Sequence, residues 1–267
     1  MIQPSPSFRA LLAGALAIVL LLMPFVSGRA QNPSGPPSEI DPAAQALLNR
    51  AIQGLGGPAF LGFRTMSTQG RAFSISDGVT QGFVLYQSWS EFPAKRRLSY
   101  GLAKRSKAVT LINDGDQGWE LDRYGLIEQS PKEIRAWRLA NRYSLENLLR
   151  VRARETGVLI QKGGDDLVDN HPAQILDIVD SRQVAIKLYL DSQSHQPVEI
   201  AYRIMNPETH EWDEYSDIYS DYQSVGGVQT ATHLVRYLNG DRVAETFRTQ
   251  IRYNETYPAG YFEPRDQ

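Results

Sequence analysis

Between residues 65 and 253 the chain is a succession of period-two runs, and in several of them apolar side chains occupy both faces. Runs of this kind bounded by turn residues read as strands, at about 65–75, 80–90, 95–101, 106–113, 117–122, 157–162, 172–180, 183–191, 197–205, 211–223, 229–238 and 241–253. Asp77-Gly78, Asp114-Gly115 and Asn239-Gly240 are hairpin-type turns between them. A sheet packed on one side shows one polar face, and 241–253 follows this rule: Val243, Phe247, Ile251 and Tyr253 fall on one side, Arg248, Gln250 and Arg252 on the other. Its neighbours do not. Strand 80–90 sets Val84 and Tyr86 against Phe83, Leu85 and Trp89, and 229–238 sets Leu234 and Leu238 against Val235 and Tyr237. In 172–180 Ile175 and Val179 oppose Leu176 and Ile178, so both faces of these strands need cover.

Little helix is available to provide it. Asp41-Pro42 offers a cap and a first-turn proline, Leu47, Leu48, Ile52 and Leu55 follow at helical spacing, and Gly56-Gly57 ends the segment. A second helical region covers about 131–153, where Pro131 opens a stretch with Ile134 and Trp137 on one face and Ser144-Leu145-Glu146-Asn147 starts another short helix. Two such regions cannot blanket eleven or twelve antiparallel strands, and a sheet of that width must twist and curl. The expected fold is therefore mainly β (α+β): a curled antiparallel sheet forming an incomplete barrel, with helices covering its concave side. Either a filled sandwich or an apolar pocket satisfies this pattern. A pocket of that kind hosts hydrophobic ligands, each buried methylene contributing about 0.8 kcal/mol.

The first residues address the chain to the cell envelope. Arg9, an apolar run from Leu11 to Val26 and the small-residue exit Gly28-Arg29-Ala30 make a cleavable signal peptide over 1–30, and the run falls short of the ~20 residues that span a bilayer. Residues 31–38, rich in proline and polar side chains, read as a flexible leader before a single domain over 39–267. No cysteine is present, which excludes disulfides, thiolate catalysis, cysteine-ligated zinc and lipid modification at a cysteine. The net charge of −2 deepens to −4 once Arg9 and Arg29 are removed, so nucleic acid is not the expected partner.

Motifs for catalysis are sparse. His171, His195, His210 and His233 stand singly, and His210-Glu211 is only a fragment of a metal-binding pattern. There is no G-x-S-x-G elbow, phosphate-binding loop or dinucleotide fingerprint. Gly163-Gly164 reads as a hairpin loop, and Asp165, Asp166 and Asp169 lack calcium-loop spacing. Asp213, Glu214, Asp217 and Asp221 could serve a glycosidase, yet on a strand Asp213, Asp217 and Asp221 lie roughly 13 Å apart in succession, too far to flank one bond. The expectation is no enzyme, no cofactor and no metal.

The order of these features resembles the LolA/LolB-like superfamily of outer-membrane lipoprotein-sorting proteins. The matching stretches are Gly-Leu-Gly-Gly (54–57) after the opening helix and Asn-Asp-Gly-Asp-Gln-Gly-Trp-Glu-Leu (113–121), together with Leu-Tyr-Leu-Asp (188–191) running into Gln-Pro-Val-Glu-Ile (196–200). Tyr-Ser-Asp-Tyr-Gln-Ser-Val-Gly-Gly-Val (219–228) and a closing Phe-Glu-Pro (262–264) complete it. The resemblance implies a periplasmic, non-enzymatic carrier that holds acyl chains of lipid or lipidated protein in an apolar half-barrel. It implies a monomer without a stable membrane anchor, and a sensor or scaffold for an envelope protein as the alternative. Phe83, Leu85, Trp89, Trp119, Trp137 and Tyr237 are then the expected cavity wall or lid, and Arg64, Arg71 and Arg97 the candidates for the family's functional arginine.

Overall fold

In the computed structural model, which describes residues 39–101 and 108–264, the strands reverse at turns that their residues dictate. The expected signal segment 1–30 and leader 31–38 lie outside the described residues. Strand β1 (Glu39–Ile40) leads into helices α1 (Pro42–Gly54) and α2 (Pro58–Gly62). A first meander follows: β2 (Thr65–Ser76), β3 (Val79–Glu91), β4 (Lys95–Tyr100), β5 (Val109–Asp114), β6 (Gln117–Asp122) and β7 (Gly125–Glu128). Helices α3 (Pro131–Arg142) and α4 (Leu145–Arg150) lead to a second: β8 (Leu159–Val168), β9 (His171–Val179), β10 (Ala185–Asp191), β11 (Pro197–Met205), β12 (Trp212–Val225), β13 (Val228–Leu238) and β14 (Asp241–Tyr253). Asp77 and Gly78 take φ of 52° and 72°, Asn239 and Gly240 54° and 84°, the paired positive values that two-residue hairpin loops require.

Among the described residues the strands form one 14-stranded sheet in the order β1-β8-β9-β10-β11-β12-β13-β14-β2-β3-β4-β5-β6-β7. It curls but does not close. The two extra members relative to the sequence reading are β1, two residues long, and β7, four residues long, both too short for periodicity to detect. All pairings are antiparallel except β1 with β8. Each meander is local, and the two are joined by β14 pairing with β2. Since β7 forms one edge and β8 lies next to the other, the chain between them must cross the sheet, and it does so as α3 and α4 on the concave side.

Two sequence expectations change. Gly163-Gly164 lies inside β8 rather than in a loop, and the hairpin turns instead at Asp169-Asn170, with φ of 47° and 63°. The register shifts between Lys162 and Asp165, and a Cβ on Gly163 would stand 2.7 Å from Asp177 Oδ2, so these glycines permit a bulge and a close side-chain approach. In β14 the register slips between Arg248 and Gln250, which leaves Thr249 as the extra residue. The alternation inverts there. Ala244, Thr246 and Arg248 face the concave side together with Ile251 and Tyr253, whose register partners are Thr68 and Met66, while Phe247 is 37% exposed on the outer face.

Half of the concave side is solidly packed. Leu47, Leu48 and Ile52 of α1 and Leu148 of α4 meet Ile178 and Leu188 of β9 and β10 in one buried cluster. Asp41 accepts the Ala43 N–H at 2.9 Å as the cap of α1 and the Lys162 N–H at 3.1 Å, tying the helix start to β8. The end of α3 is held by ions: Arg142 Nε donates to Asp180 Oδ2 at 2.9 Å and its Nη2 to Glu155 Oε2 at 2.8 Å. The Asp180 carboxylate, fully buried, also accepts from Tyr143 Oη at 3.0 Å and from the N–H groups of Arg182 and Val184. Burial opposes ionisation of Glu155, but hydrogen bonds from Ser181, Arg142 and Arg152 outweigh it and hold the carboxyl down at about 2.

Three outcomes follow from this framework. Arg142→Met removes the cation that Asp180 and Glu155 share and leaves the fully buried Asp180 carboxylate without a counterion, and is expected to cost about 3–5 kcal/mol, read as a lower urea midpoint at unchanged m-value. With its pKa depressed in the fold, Glu155 leaves the native state with fewer bound protons than the unfolded chain. Its contribution is therefore present above the ordinary value of 4.5 and lost as pH falls towards about 2, and Glu155→Gln should flatten the stability profile in that window. At the β14–β2 seam a Cβ on Gly70 would lie 1.9 Å from the Phe247 carbonyl oxygen, so Gly70→Ala should lose about 1–3 kcal/mol in the same denaturation assay.

Candidate functional site

The other half of the concave side is hollow. Where α1 and α4 meet Leu and Ile, the strands facing α3 carry small side chains: Thr68 and Ala72 on β2, Ser88 and Ser90 on β3, Ala244 and Thr246 on β14. Beneath the helices this leaves a cavity of about 390 Å³, within the ~300–1,000 Å³ usual for ligand pockets. Apolar contacts come from Met66, Val84, Phe92, Leu98 and Leu234, and the lid from Trp137, Ala140 and Asn141 of α3 with Glu146 of α4. The lid is pinned to the β3–β4 turn, because Asn141 Nδ2 and Asn147 Nδ2 both donate to the Pro93 carbonyl, at 2.9 and 3.0 Å. Trp137 is fixed by its Nε1, which donates to the Gly115 carbonyl at 3.3 Å.

Charged groups enter this apolar trough. Arg236 forks onto Asp217, its Nε and Nη2 donating at 2.6 and 2.7 Å. Arg96 Nη2 donates to Asn113 Oδ1 at 3.0 Å, and its guanidinium lies 4.3 Å from the centre of the Trp137 ring. Arg248 Nη1 donates to the Ala231 carbonyl at 3.2 Å. Burial raises the pKa of Tyr86, against the nearby Arg248 guanidinium, and burial likewise raises those of Tyr100 and Tyr219, so these phenols stay neutral at neutral pH.

Of the six residues expected at the site, Trp137 lines the cavity. Phe83 and Leu85 alternate with the cavity-facing Val84 and Tyr86 and stand 58% and 42% exposed on the outer face. Phe83 there meets Phe73 at 5.6 Å, and Phe73 meets Phe247 at 5.9 Å. Trp89 packs edge-on against Tyr261 at 5.7 Å, and the register Trp89–Arg97–Ile112–Trp119 puts Trp119 on the same outer face. Tyr237 lines a wider depression of about 980 Å³ on the outside of β9–β13, alongside Arg203–Glu214 and Lys187–Asp177 ion pairs at 3.0 and 3.2 Å. None of Arg64, Arg71 and Arg97 lines the cavity, and Arg97 donates outward to the Tyr261 carbonyl at 3.3 Å.

The cavity arginines were missed for a definite reason. Arg96 and Arg97 are adjacent, so only the true register tells which points inward, and Arg248 sits beside the bulge that inverts the count. Among the acidic run, Asp217 is committed to Arg236, while Asp213 accepts from Asn206 Nδ2 at 2.9 Å, so the two do not converge. His233 is not solitary: Ser220 Oγ lies 3.0 Å from its Nδ1 and Glu245 Oε1 2.7 Å from its Nε2. This cross-strand row lies on the outer face, with the imidazole stacked on Phe247 at 4.4 Å, and contributes to neither the cavity nor the outer depression.

No protein-family profile and no curated protein matches the sequence. Solved structures match the fold. A domain assigned as an outer membrane lipoprotein-sorting protein from Vibrio parahaemolyticus aligns with a TM-score of 0.54 at 9% identity, over 82% of this chain and 97% of its own. A LolA superfamily protein from Nitrosomonas europaea aligns at 0.51 and 15% identity, over 82% and 96%, and a DUF1329 family protein from Desulfovibrio piger at 0.55 and 10%, over 82% and 97%. Likeness at such identities is one of fold. The chain has a LolA/LolB-like fold, an open curled sheet with helices on its concave side.

Proposed function

We propose that the protein is a periplasmic, non-enzymatic binder or carrier that holds an acyl chain of a lipid or lipidated protein in the cavity beneath α3. The observation that carries this reading is the hollow itself: a curled sheet whose small side chains at Ala72, Ser88 and Ala244 leave about 390 Å³ open under a pinned lid. Burial of about eight methylenes there would contribute about 6 kcal/mol without any polar contact. The export signal expected from the sequence and the LolA/LolB-like fold support the same reading. Of the residues expected from sequence, Trp137 is the proposed lid contact.

A second reading, an envelope sensor or scaffold that binds a protein, is favoured by one observation: the exposed Phe83, Leu85 and Phe247 on the outer face. The two readings separate experimentally. Native mass spectrometry and lipid extraction of the protein purified from a periplasmic fraction should recover an acyl ligand, and Ala72→Trp, which fills the trough, should weaken binding of a fluorescent acyl probe by tenfold or more. A ligand-free protein with no response to acyl probes sinks the carrier reading. Recovery of one stoichiometric protein and no lipid favours the sensor.

A further inference from the structure

The charges in the cavity do not balance. Arg96, Arg236 and Arg248 line it against Asp217 and Glu146, and the Arg236–Asp217 fork neutralises one pair. Arg96 has no such relief. Among the described residues no carboxylate lies within ion-pairing distance of it, and its Nε is buried without a hydrogen-bond partner. Arg96 is partly buried, and loss of water around its guanidinium first, then repulsion from the Arg236 guanidinium, draw its pKa down to about 10, which leaves it charged at neutral pH. A partly desolvated cation without a counterion gains from an anion placed beside it.

The guanidinium is also held ready. Asn113, fully buried, accepts from Arg96 Nη2 and in turn donates from Nδ2 to Gln129 Oε1 at 2.8 Å. The Trp137 ring supports the planar group at 4.3 Å. A guanidinium fixed on one side by an amide and an indole, with its Nε enclosed, leaves its terminal N–H groups to donate to a carboxylate or a phosphate in the cavity. From Arg96 the register leads inward along the trough, through Leu98 beside Ser88 and on to Val84 beside Ala72, so an oxyanion at Arg96 can be continuous with a chain over apolar groups.

We propose that the cavity takes an acyl chain ending in an oxyanion, a carboxylate or a phosphate monoester, with the head on Arg96 and the tail along Leu98 and Val84. This rests on the acyl-binding reading above and narrows it to the anionic members of the class. A lipidated protein's ester-linked chains carry no such head, so the inference favours a free fatty acid or a single-chain phosphate monoester.

The test uses the delipidated full-length mature protein and three probes of equal chain length: dodecanoate, dodecyl phosphate and the uncharged dodecanol, each displacing a neutral naphthylamine fluorophore. At least one anion should bind about tenfold or more tightly than the alcohol, and the better of the two anions identifies the head. Loss of a charged hydrogen bond is worth roughly tenfold to a hundredfold. Arg96→Gln should therefore weaken the anions by that factor and leave dodecanol unchanged, while Arg96→Lys retains part of the preference. Circular dichroism and a thermal melt check that both variants fold, and if Arg96→Gln does not, the wild-type comparison and Arg96→Lys decide. Equal binding of all three probes, or an Arg96→Gln variant that weakens all three alike, overturns the anion site but not the acyl-binding reading. Failure of every probe to displace the fluorophore overturns both.

Discussion

Pairing of β14 with β2 joins segments that lie 170 and more residues apart: Thr249 Oγ1 donates to the Gln69 carbonyl at 3.2 Å, and the Arg64 N–H to Asn254 Oδ1 at 3.0 Å. Two meanders, each formed from neighbours in sequence, become one sheet only through this seam. The loop entropy of bringing such distant strands together must be offset by the ladder and by the surface buried on both its sides. The seam also dictates where the helices go. With β2 and β14 in the middle, β7 and β8 lie towards opposite edges, and the chain joining them can only cross a face.

The crossing helices are anchored differently at their two flanks, which explains why one half of the concave side is filled and the other is not. At one flank the Arg142–Asp180–Glu155 cluster fastens the end of α3 to the β9–β10 hairpin, and Leu148 and Leu149 of α4 enter the main core. On the opposite flank Asn141 and Asn147 reach the Pro93 carbonyl, Trp137 the Gly115 carbonyl and Arg138 the Asp116 carboxylate at 3.0 Å, and between these anchors α3 spans a stretch of sheet whose side chains are too short to meet it. Dense packing follows from matched side-chain volume, and a cavity persists where rigid elements are held apart by contacts elsewhere. Its walls are mostly apolar, but the charges in it are spaced by strand register rather than by sequence, as Arg236 with Asp217 illustrates at 19 residues' separation.

The outer face carries its own polar organisation. Ser220, His233 and Glu245 come from β12, β13 and β14 and form a hydrogen-bonded row, with Arg242 paired to Glu245 and Phe247 stacked on the imidazole. Such rows are the cross-strand pairs that stabilise sheets, and they lie on the face away from the cavity. The same alternation that sends Val84 and Tyr86 inward sends Phe83 and Leu85 out, so the aromatic wealth of β3 is divided between the two sides.

Local chemistry in the sequence determined the elements. Asp41 with Pro42 set the start of α1, Asp77-Gly78 and Asn239-Gly240 set their hairpins, and period-two patterning located twelve of the strands, because each depends on residues within a few positions of one another. The incomplete barrel was legible from the shortage of helix. What alternation could not supply was the absolute face of each strand, since one bulged residue exchanges the sides: Thr249 inverts β14, and the register between Lys162 and Asp165 absorbs the glycines that read as a loop. Trp137, expected at the cavity wall or lid from the family resemblance, does line the cavity. Arg96 and Arg248 were not legible as site residues, because a cavity is a property of several strands at once. Which residues line it was decided by the β14–β2 pairing, a contact between distant segments that no local pattern encodes.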